Sequence, residues 1–277
     1  MNPAERALWF IESHFARDIS LDEVATIGGV TRYHMTRAFA AATGMPVMAY
    51  AKARRLSEAA KALARGAPDI LTVALDAGYG SHEAFTRAFR DQFGITPEQL
   101  RAGRILDIIT LVEPIAMNDK PPIILKPPRI EAGKTLLIAG LNERYSCQSS
   151  AAIPSQWQQF HRHIGHVPGQ VGNVAYGVFY NTDDSGNMDY MTAVEVTDFS
   201  ALPRDLGRLR IPEHLYAMFS HQGHVSTIRG AMNAIWNNWL PQSGYEAADA
   251  PGLERYDEKF NPETGLSGFE IWIPLKK

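Results

Sequence analysis

Apolar positions recur at helical spacing through the first hundred residues, and the later part of the chain alternates them with polar ones in short runs. Leu8, Ile11 and Phe15, with Trp9 beside them, predict a helix over 3–15 with Pro3 in its first turn. Ser20 with Glu23 three residues on is a capping box, opening a helix over 21–27 that stops at Gly28-Gly29. Thr31 caps the next helix, over 32–42, and Gly44 ends it. Met35 and Phe39, one turn apart, turn that helix toward a core. Residues 47–65 lack glycine and proline, are rich in alanine, and carry Tyr50, Leu56, Ala60 and Leu63 as an apolar stripe. Phe85, Phe89 and Phe93 mark one side of a further helix over 81–93.

Part of this pattern repeats. Thr36-Arg37-Ala38-Phe39 returns unchanged as Thr86-Arg87-Ala88-Phe89, and the same offset pairs Leu21 with Leu71, Gly28 with Gly78, Thr31 with Ser81 and Gly44 with Gly94. A repeat at fixed offset signals one structural unit used twice. Each copy reads as helix, glycine turn, second helix, which is the outline of a helix-turn-helix whose second helix enters a DNA major groove. The polar sides of the two second helices are Arg32, Tyr33, Thr36 and Arg37, then His82, Glu83, Thr86, Arg87 and Arg90. Arginine can pair with guanine in bidentate fashion, threonine can donate to a base or phosphate, and tyrosine can stack or pack on sugar. Glu83 can accept from cytosine or orient Arg87. Between the copies, the helix over 47–65 shows Lys52, Arg54, Arg55 and Lys61 as a basic side. A helix of about 20 residues spans about 30 Å, close to the roughly 34 Å between successive major grooves.

Ile105 to Leu111 is apolar, and Pro114, Pro121-Pro122 and Pro127-Pro128 then break the chain. Prolines at that density exclude a helix interior, so 106–122 reads as a linker between an all-α domain over 1–105 and a second domain over 123–277. In the second domain the order is strand 134–141, helix 154–164, strand 174–181, strand 189–197. It recurs as strand 214–221, helix 226–240, strand 253–259, strand 268–275. Two β-α-β-β repeats predict an α+β domain of antiparallel sheets covered by helices on one side, with an internal pseudo-twofold and a groove between the repeats.

Composition adds limits. The chain has 277 residues and no apolar run of membrane-spanning length, and its N-terminus lacks a secretory pattern. Cys147 is the single cysteine, which excludes an internal disulfide and a cysteine-based zinc finger. These features predict a cytoplasmic protein. The net charge of −3 is uneven: residues 1–105 hold 13 Lys and Arg against 11 Asp and Glu, and residues 106–277 hold 14 against 19. His161, His163 and His166, with His221 and His224 elsewhere, lack a carboxylate or cysteine to complete a metal shell. Neither a phosphate-binding glycine loop nor a Gly-x-Ser-x-Gly elbow is present. No metal, cofactor or catalytic constellation is expected.

With these residues laid out, residues 5–104 resemble the DNA-binding domain of AraC/XylS transcription regulators. The signature runs from Ala77-Gly78-Tyr79 through Thr86-Arg87-Ala88-Phe89 to Phe93-Gly94-Ile95-Thr96-Pro97, with Gly80 where many members have an aromatic residue. The resemblance implies base contacts by Tyr33, Thr36 and Arg37 and by His82, Glu83, Thr86 and Arg87, and a structural role for Arg55. Residues 123–277 resemble the GyrI-like effector-binding domain of Rob-type regulators, through Ala175-Tyr176-Gly177-Val178, Asp189-Tyr190-Met191, Ile211-Pro212, Trp236 to Pro241, Leu253-Glu254-Arg255-Tyr256 and Glu270-Ile271-Trp272-Ile273-Pro274-Leu275. By that resemblance Glu254 is the pocket carboxylate.

Strand periodicity agrees, since it puts Glu254 and Tyr256 on one face. A carboxylate among aromatic walls attracts a lipophilic cation. Trp157, Tyr176, Tyr190, Trp236 and Trp272 are the expected walls and Glu195 a second carboxylate. The implied partners are double-stranded DNA, a small effector, hydrophobic or cationic, and RNA polymerase. Two other readings stay open: a hydrolase acting on a small reactive compound through Glu254 with Tyr256 or Tyr190, and a protein-contact module.

Overall fold

The computed structural model describes residues 1–67, 69–104, 106–115, 123–146, 149–221, 223–262 and 264–276. Cys147 and the Pro121-Pro122 pair lie outside them. The chain divides into two compact units, Met1–Met35 with Met45–Asn118, and Thr36–Gly44 with Asp119–Lys277.

Every helix of the N-terminal part starts where a side chain can satisfy its free N–H groups or a proline removes one. Helix α1 (Pro3–His14) is opened by an Asn2–Glu5 capping box and α2 (Leu21–Gly28) by the Ser20–Glu23 box. Next come α3 (Arg32–Thr43), α4 (Val47–Ala64), α5 (Ile70–Asp76, capped by Asp69), α6 (His82–Phe93, capped by Ser81) and α7 (Pro97–Gly103, capped by Thr96). Ala7, Leu8, Ile11, Val24, Met35 and Tyr50 are buried, whereas Trp9 is left 62% exposed. Leu56, Leu63, Ile70, Val73, Phe85, Phe89 and Leu100 form one core that seats α5, α6 and α7 on α4.

The repeat is present with one correction. The offset of fifty holds for the second helices, capped by Thr31 and Ser81. The first helices match at forty-nine: Ser20 pairs with Asp69 as cap, and Gly29 with Gly78 as the left-handed turn residue, at φ 69° and 73°. Ile70 is therefore the counterpart of buried Leu21, while Leu71 is 45% exposed. The second turn is one residue longer, and a neighbouring leucine disguised the shift.

Arg54 is also not where its basic neighbours suggested. Its side chain is 3% exposed and forks onto Glu12, with Nε to Oε1 at 2.9 Å and Nη2 to Oε2 at 3.0 Å, while Nη1 reaches Glu58 at 3.2 Å and donates to the Val112 carbonyl at 2.9 Å. Tyr50 donates to Glu12 (2.6 Å) and accepts from the Ile115 N–H (3.1 Å); Ser57 accepts from Val112 N–H (2.9 Å). Thus residues 112–115, within the expected linker, are strapped along α4. Arg55, expected to be structural, donates to the Arg17 carbonyl (3.3 Å) and lies over the Tyr79 ring.

The second unit is one eight-stranded antiparallel sheet, made of β1 (Arg129–Gly133), β2 (Leu136–Tyr145), β3 (Gln170–Tyr180), β4 (Met188–Val196), β5 (Gly207–Ile211), β6 (His214–His221), β7 (Gly252–Tyr256) and β8 (Phe269–Leu275). The strand order is β1-β6-β8-β7-β3-β4-β2-β5. This sequence of strands is symmetric about the β7–β3 junction, so the two β-α-β-β repeats exist and their sheets fuse into one. Each repeat also has an extra leading strand, β1 or β5, and each of these pairs with the other repeat or across to it: β1 on β6, β5 on β2. Both are five residues long and go beyond the strands that the sequence pattern predicts.

Helix α8 (Ile153–His161) and the segment after β6 cover one face. Phe160 of α8 joins Ala139, Val194 and Val196 in the core there, and Phe219 meets Trp239 at 4.9 Å. The expected helix over 226–240 is α9 (Ile228–Ala234), a wider π turn (Ile235–Trp239) and α10 (Leu240–Ser243). Pro241 has no N–H to give the preceding turn, and the widened turn falls where that bond is missing. On the other face strand side chains pack on one another, with Ile138, Val178, Met191, Met218 and Leu253 at the centre.

The Arg54 fork sets a test. Arg54→Ala leaves the Glu12 carboxylate with the Tyr50 hydrogen bond but without its counter-charge, a loss of about 2 kcal/mol after allowing for Glu12's partial exposure, and Arg54→Lys, which lacks the fork, recovers little of it. Urea unfolding followed by far-UV circular dichroism measures both. A midpoint unchanged in Arg54→Ala would show that the strap is held by other contacts.

Candidate functional site

Two sets of side chains remain once the cores are assigned. The first lies on α3 and α6. On α6, Phe85 and Phe89 are fully buried, so helical geometry forces Glu83, Arg87 and Arg90 to solvent. His82 meets Glu98 at 2.9 Å and stays 40% exposed. Hydrogen bonds from its own backbone N–H and from Ser81 hold the Glu83 carboxyl below the usual carboxylate range, so it is ionised beside Arg87. Thr86 differs from expectation: its hydroxyl oxygen is covered and meets no partner among the described residues, so reaching DNA takes a rotamer change. On α3, Arg32 forms an ion pair with Asp22 (3.1 Å) and Tyr33 is half-buried. Thr36 and Arg37, the repeat counterparts of Thr86 and Arg87, differ from expectation: they are buried, at 5% and 9% exposure, and Arg37 donates to Thr182 Oγ1 (2.9 Å) and lies over the Phe179 and Trp236 rings.

The second set lies at the β7–β3 junction. Glu254 stands directly opposite Gly177, and Gly177 directly opposite Thr192 of β4. Side chains of directly paired residues share a face, so Glu254, Tyr256 and Tyr190 all point to the side carrying α8. Glu254 Oε2 accepts from Tyr190 Oη (2.6 Å) and Tyr256 Oη (2.9 Å), and Tyr190 Oη accepts from Trp157 Nε1 (3.0 Å). The Trp157 and Tyr256 rings meet edge to face at 5.0 Å, and Phe260 and Phe269 close the far side of Tyr256 at 4.7 and 5.4 Å.

Burial raises the Glu254 carboxyl above its ordinary value, against the two tyrosine hydrogen bonds, which favour the ionised form. Burial, reinforced by the Glu254 charge, lifts both tyrosine hydroxyls well above theirs. The tyrosines are therefore fixed as donors. Oε1 has no donor among the described residues.

Three supporting residues carried no functional signal in the sequence. A Cβ on Gly177 would fall inside contact distance of Tyr190 Oη and 2.7 Å from Glu254 Oε2, so the carboxylate–tyrosine bond occupies the space that glycine leaves. Gln156, 3% exposed, donates to the carbonyls of Leu141 (2.7 Å) and Tyr190 (3.1 Å) and accepts from Tyr145 (2.9 Å), fixing α8 and hence Trp157. Phe260 follows β7 and shows only as one of many aromatics. A glycine inside a strand was the one cue available.

The other expected walls lie elsewhere. Tyr176 pairs with Arg255 and Trp272 with Leu253, so both project from the opposite face, where Glu195 bonds Lys134 at 2.6 Å. One residue of phase separates Tyr176 from Gly177, and residue type alone does not reveal it. Trp236 sits in the π turn and is 1% exposed. Among the described residues no three His, Cys, Asp or Glu side chains gather as a metal site, and no helix is long and apolar enough to cross a membrane.

Comparison with known proteins accords with this geometry. Residues 126–276 match the GyrI-like small molecule binding domain, and residues 24–103 match a helix-turn-helix domain. The transcriptional regulator Rob of Salmonella typhimurium and the right origin-binding protein of Escherichia coli K12 are each 26% identical over 283 residues, spanning 98% of this chain and 96% of the relative. A solved structure of SAV2435 bound to tetraphenylphosphonium covers 55% of this chain and 94% of that one, at 21% identity and a TM-score of 0.47. Because the GyrI-like match spans more than half of the chain and follows a helix-turn-helix match in sequence, the chain belongs to the GyrI-like small molecule binding family and is a transcription regulator that carries a helix-turn-helix DNA-binding domain.

Proposed function

We propose that the effector is a small lipophilic cation, held by Glu254 and the aromatic side chains around it. One observation carries the reading: a desolvated carboxylate has one oxygen fixed by two tyrosine donors and the other left over. A cation restores the counter-charge that burial removed, and the rings of Trp157 and Tyr256 add cation–π attraction. An anion meets repulsion there. The same arrangement supports binding without turnover: a hydrolase using Glu254 as base needs a tyrosine to donate to the substrate, and both tyrosine hydroxyls donate to Glu254 itself. DNA is read by α3 and α6, through Arg32 and Tyr33 and through His82, Glu83, Thr86, Arg87 and Arg90; Thr36 and Arg37 join them once their buried contacts open. RNA polymerase is the further partner of such a regulator, and its place of work is the cytoplasm, with the chromosome.

Binding and stability should respond oppositely to Glu254. Glu254→Gln keeps both tyrosine bonds and removes the buried charge. Affinity for lipophilic quaternary ammonium or triarylmethane cations falls at least about tenfold, or about 1.4 kcal/mol, measured by titration calorimetry. A folded pKa raised above the unfolded one means the native state holds the proton more tightly, so this group lowers stability as pH rises through that window. The unliganded Glu254→Gln chain should therefore melt higher than the parent at neutral pH, and the gap should close below the ordinary carboxylate pKa. An unchanged affinity for every cation tested would refute the assignment.

Gly177→Ala gives a steric test. Its methyl group displaces Tyr190 from Glu254, costing about 1–3 kcal/mol by overpacking and weakening cation binding in parallel. Normal stability and affinity would show that the site has room to spare.

On the DNA side, Arg87→Ala should cost about 1–3 kcal/mol on operator DNA and little on random duplex, whereas Arg90→Ala should weaken both and reduce the salt slope by about 1. Gel-shift titrations at several salt concentrations separate the two. Equal losses on operator and random DNA for Arg87→Ala would mean that it contacts phosphate.

A further inference from the structure

Behind the Glu254 site, on the opposite face of the same strands, lies a cavity of about 320 Å³ lined by Lys134, Leu136, Tyr176, Glu195, Arg255 and Trp272, among others. Its volume is at the small end of ligand sites, and its walls include two large rings with aliphatic floor from Leu136. The charges around it are unequal. Glu195 is occupied by Lys134 at 2.6 Å. Glu270, at the border, is held by Arg129 (3.0 Å) and by Trp272 Nε1 (3.0 Å). Arg255 reaches Glu270 only at 4.0 Å, beyond hydrogen-bond range, and its charge acts on the nearby Tyr176 hydroxyl. It is 28% exposed in its side chain, and a guanidinium has five N–H donors, so most of its bonding capacity is unused by the protein.

We infer that this cavity is a second ligand site, for a small organic anion with a flat apolar body. The carboxylate of such a molecule forks onto Arg255, and its body lies against Tyr176 and Trp272. Lys134, itself 69% exposed, adds long-range attraction at the mouth. The chemistry is the reverse of that at Glu254, and the reason is the pleat: Glu254 and Arg255 are consecutive on β7, so one strand presents a carboxylate to one face and a guanidinium to the other. Tyr176 and Gly177 divide in the same way on β3. The inference is independent of what Glu254 binds.

The test uses the full chain and three isosteric probes: 2-naphthoate, 2-naphthamide and 2-naphthylmethylammonium. Calorimetry should show saturable binding of naphthoate, at least tenfold weaker binding of the amide and no detectable binding of the ammonium at this site. Arg255→Gln should weaken naphthoate at least tenfold, and Lys134→Gln, at an exposed position, about twofold. Glu254→Gln should leave naphthoate affinity within twofold. A photoreactive benzophenone carboxylate, competed by naphthoate, should label peptides containing Tyr176 or Trp272 in the unaltered protein, which covers the case of an Arg255 variant that does not fold. The inference is overturned if naphthoate fails to bind, if the amide binds equally well, or if Glu254→Gln abolishes binding and Arg255→Gln does not.

Discussion

The antiparallel pairing of β3 with β7 is the constraint on which the second unit depends. Among the described residues it is the only ladder that joins the two halves at the centre of the sheet, where the strand order reverses, and its register sets Glu254 opposite Gly177. Slipping it by one residue would move Glu254 to the far face and bring Arg255 under α8. The Glu254–Tyr190 bond, the packing of Trp157 on Tyr256 and the aromatic ring around them all follow from that single register. In the helical unit, α4 has the same rank. It carries the common core for α5, α6 and α7, and the Arg54 fork ties α1 and the 112–115 strap to it.

Most of the helical unit was legible because its signals are local. Ser20 with Glu23 and Asp69 before Ile70 state where helices start, and the repeated Thr-Arg-Ala-Phe states that two helices share a role. The one-residue shift between the first helices was not legible, since Leu71 sits where a leucine was sought while Ile70 does the packing. Arg54 misled for a different reason. Two arginines side by side on a helix look like a basic surface, and only a partner forty-two residues away, Glu12, explains why one of them is buried.

The binding side chains were legible as chemistry and only partly as geometry. Glu254 and Tyr256, two residues apart on one strand, must share a face, and they do. Tyr190 and Trp157 joined them through register and helix placement that no spacing expresses. Tyr176, Glu195 and Trp272 have the right chemistry and the wrong phase, so they contribute to the opposite surface. The burial that raises the Glu254 carboxyl is likewise a property of the assembled sheet and has no counterpart in the local sequence.

The exchange of leading strands bears on how the chain acquires its structure. β1 pairs with β6 and cannot be placed until a segment some eighty residues later has been made, and β8, last in chain order, lies inside the sheet between β6 and β7. The half β3-β4-β2-β5 is contiguous in the chain and can form first, whereas the half β1-β6-β8-β7 closes only when the last strand has been made. The helical unit, by contrast, is built from neighbours and folds from short-range contacts, which form much faster than long-range strand pairs. During synthesis, the helices packed on α4 are complete well before β8 has been made, so a newly made chain passes through a period in which its helical core is assembled while its sheet still lacks an inner strand.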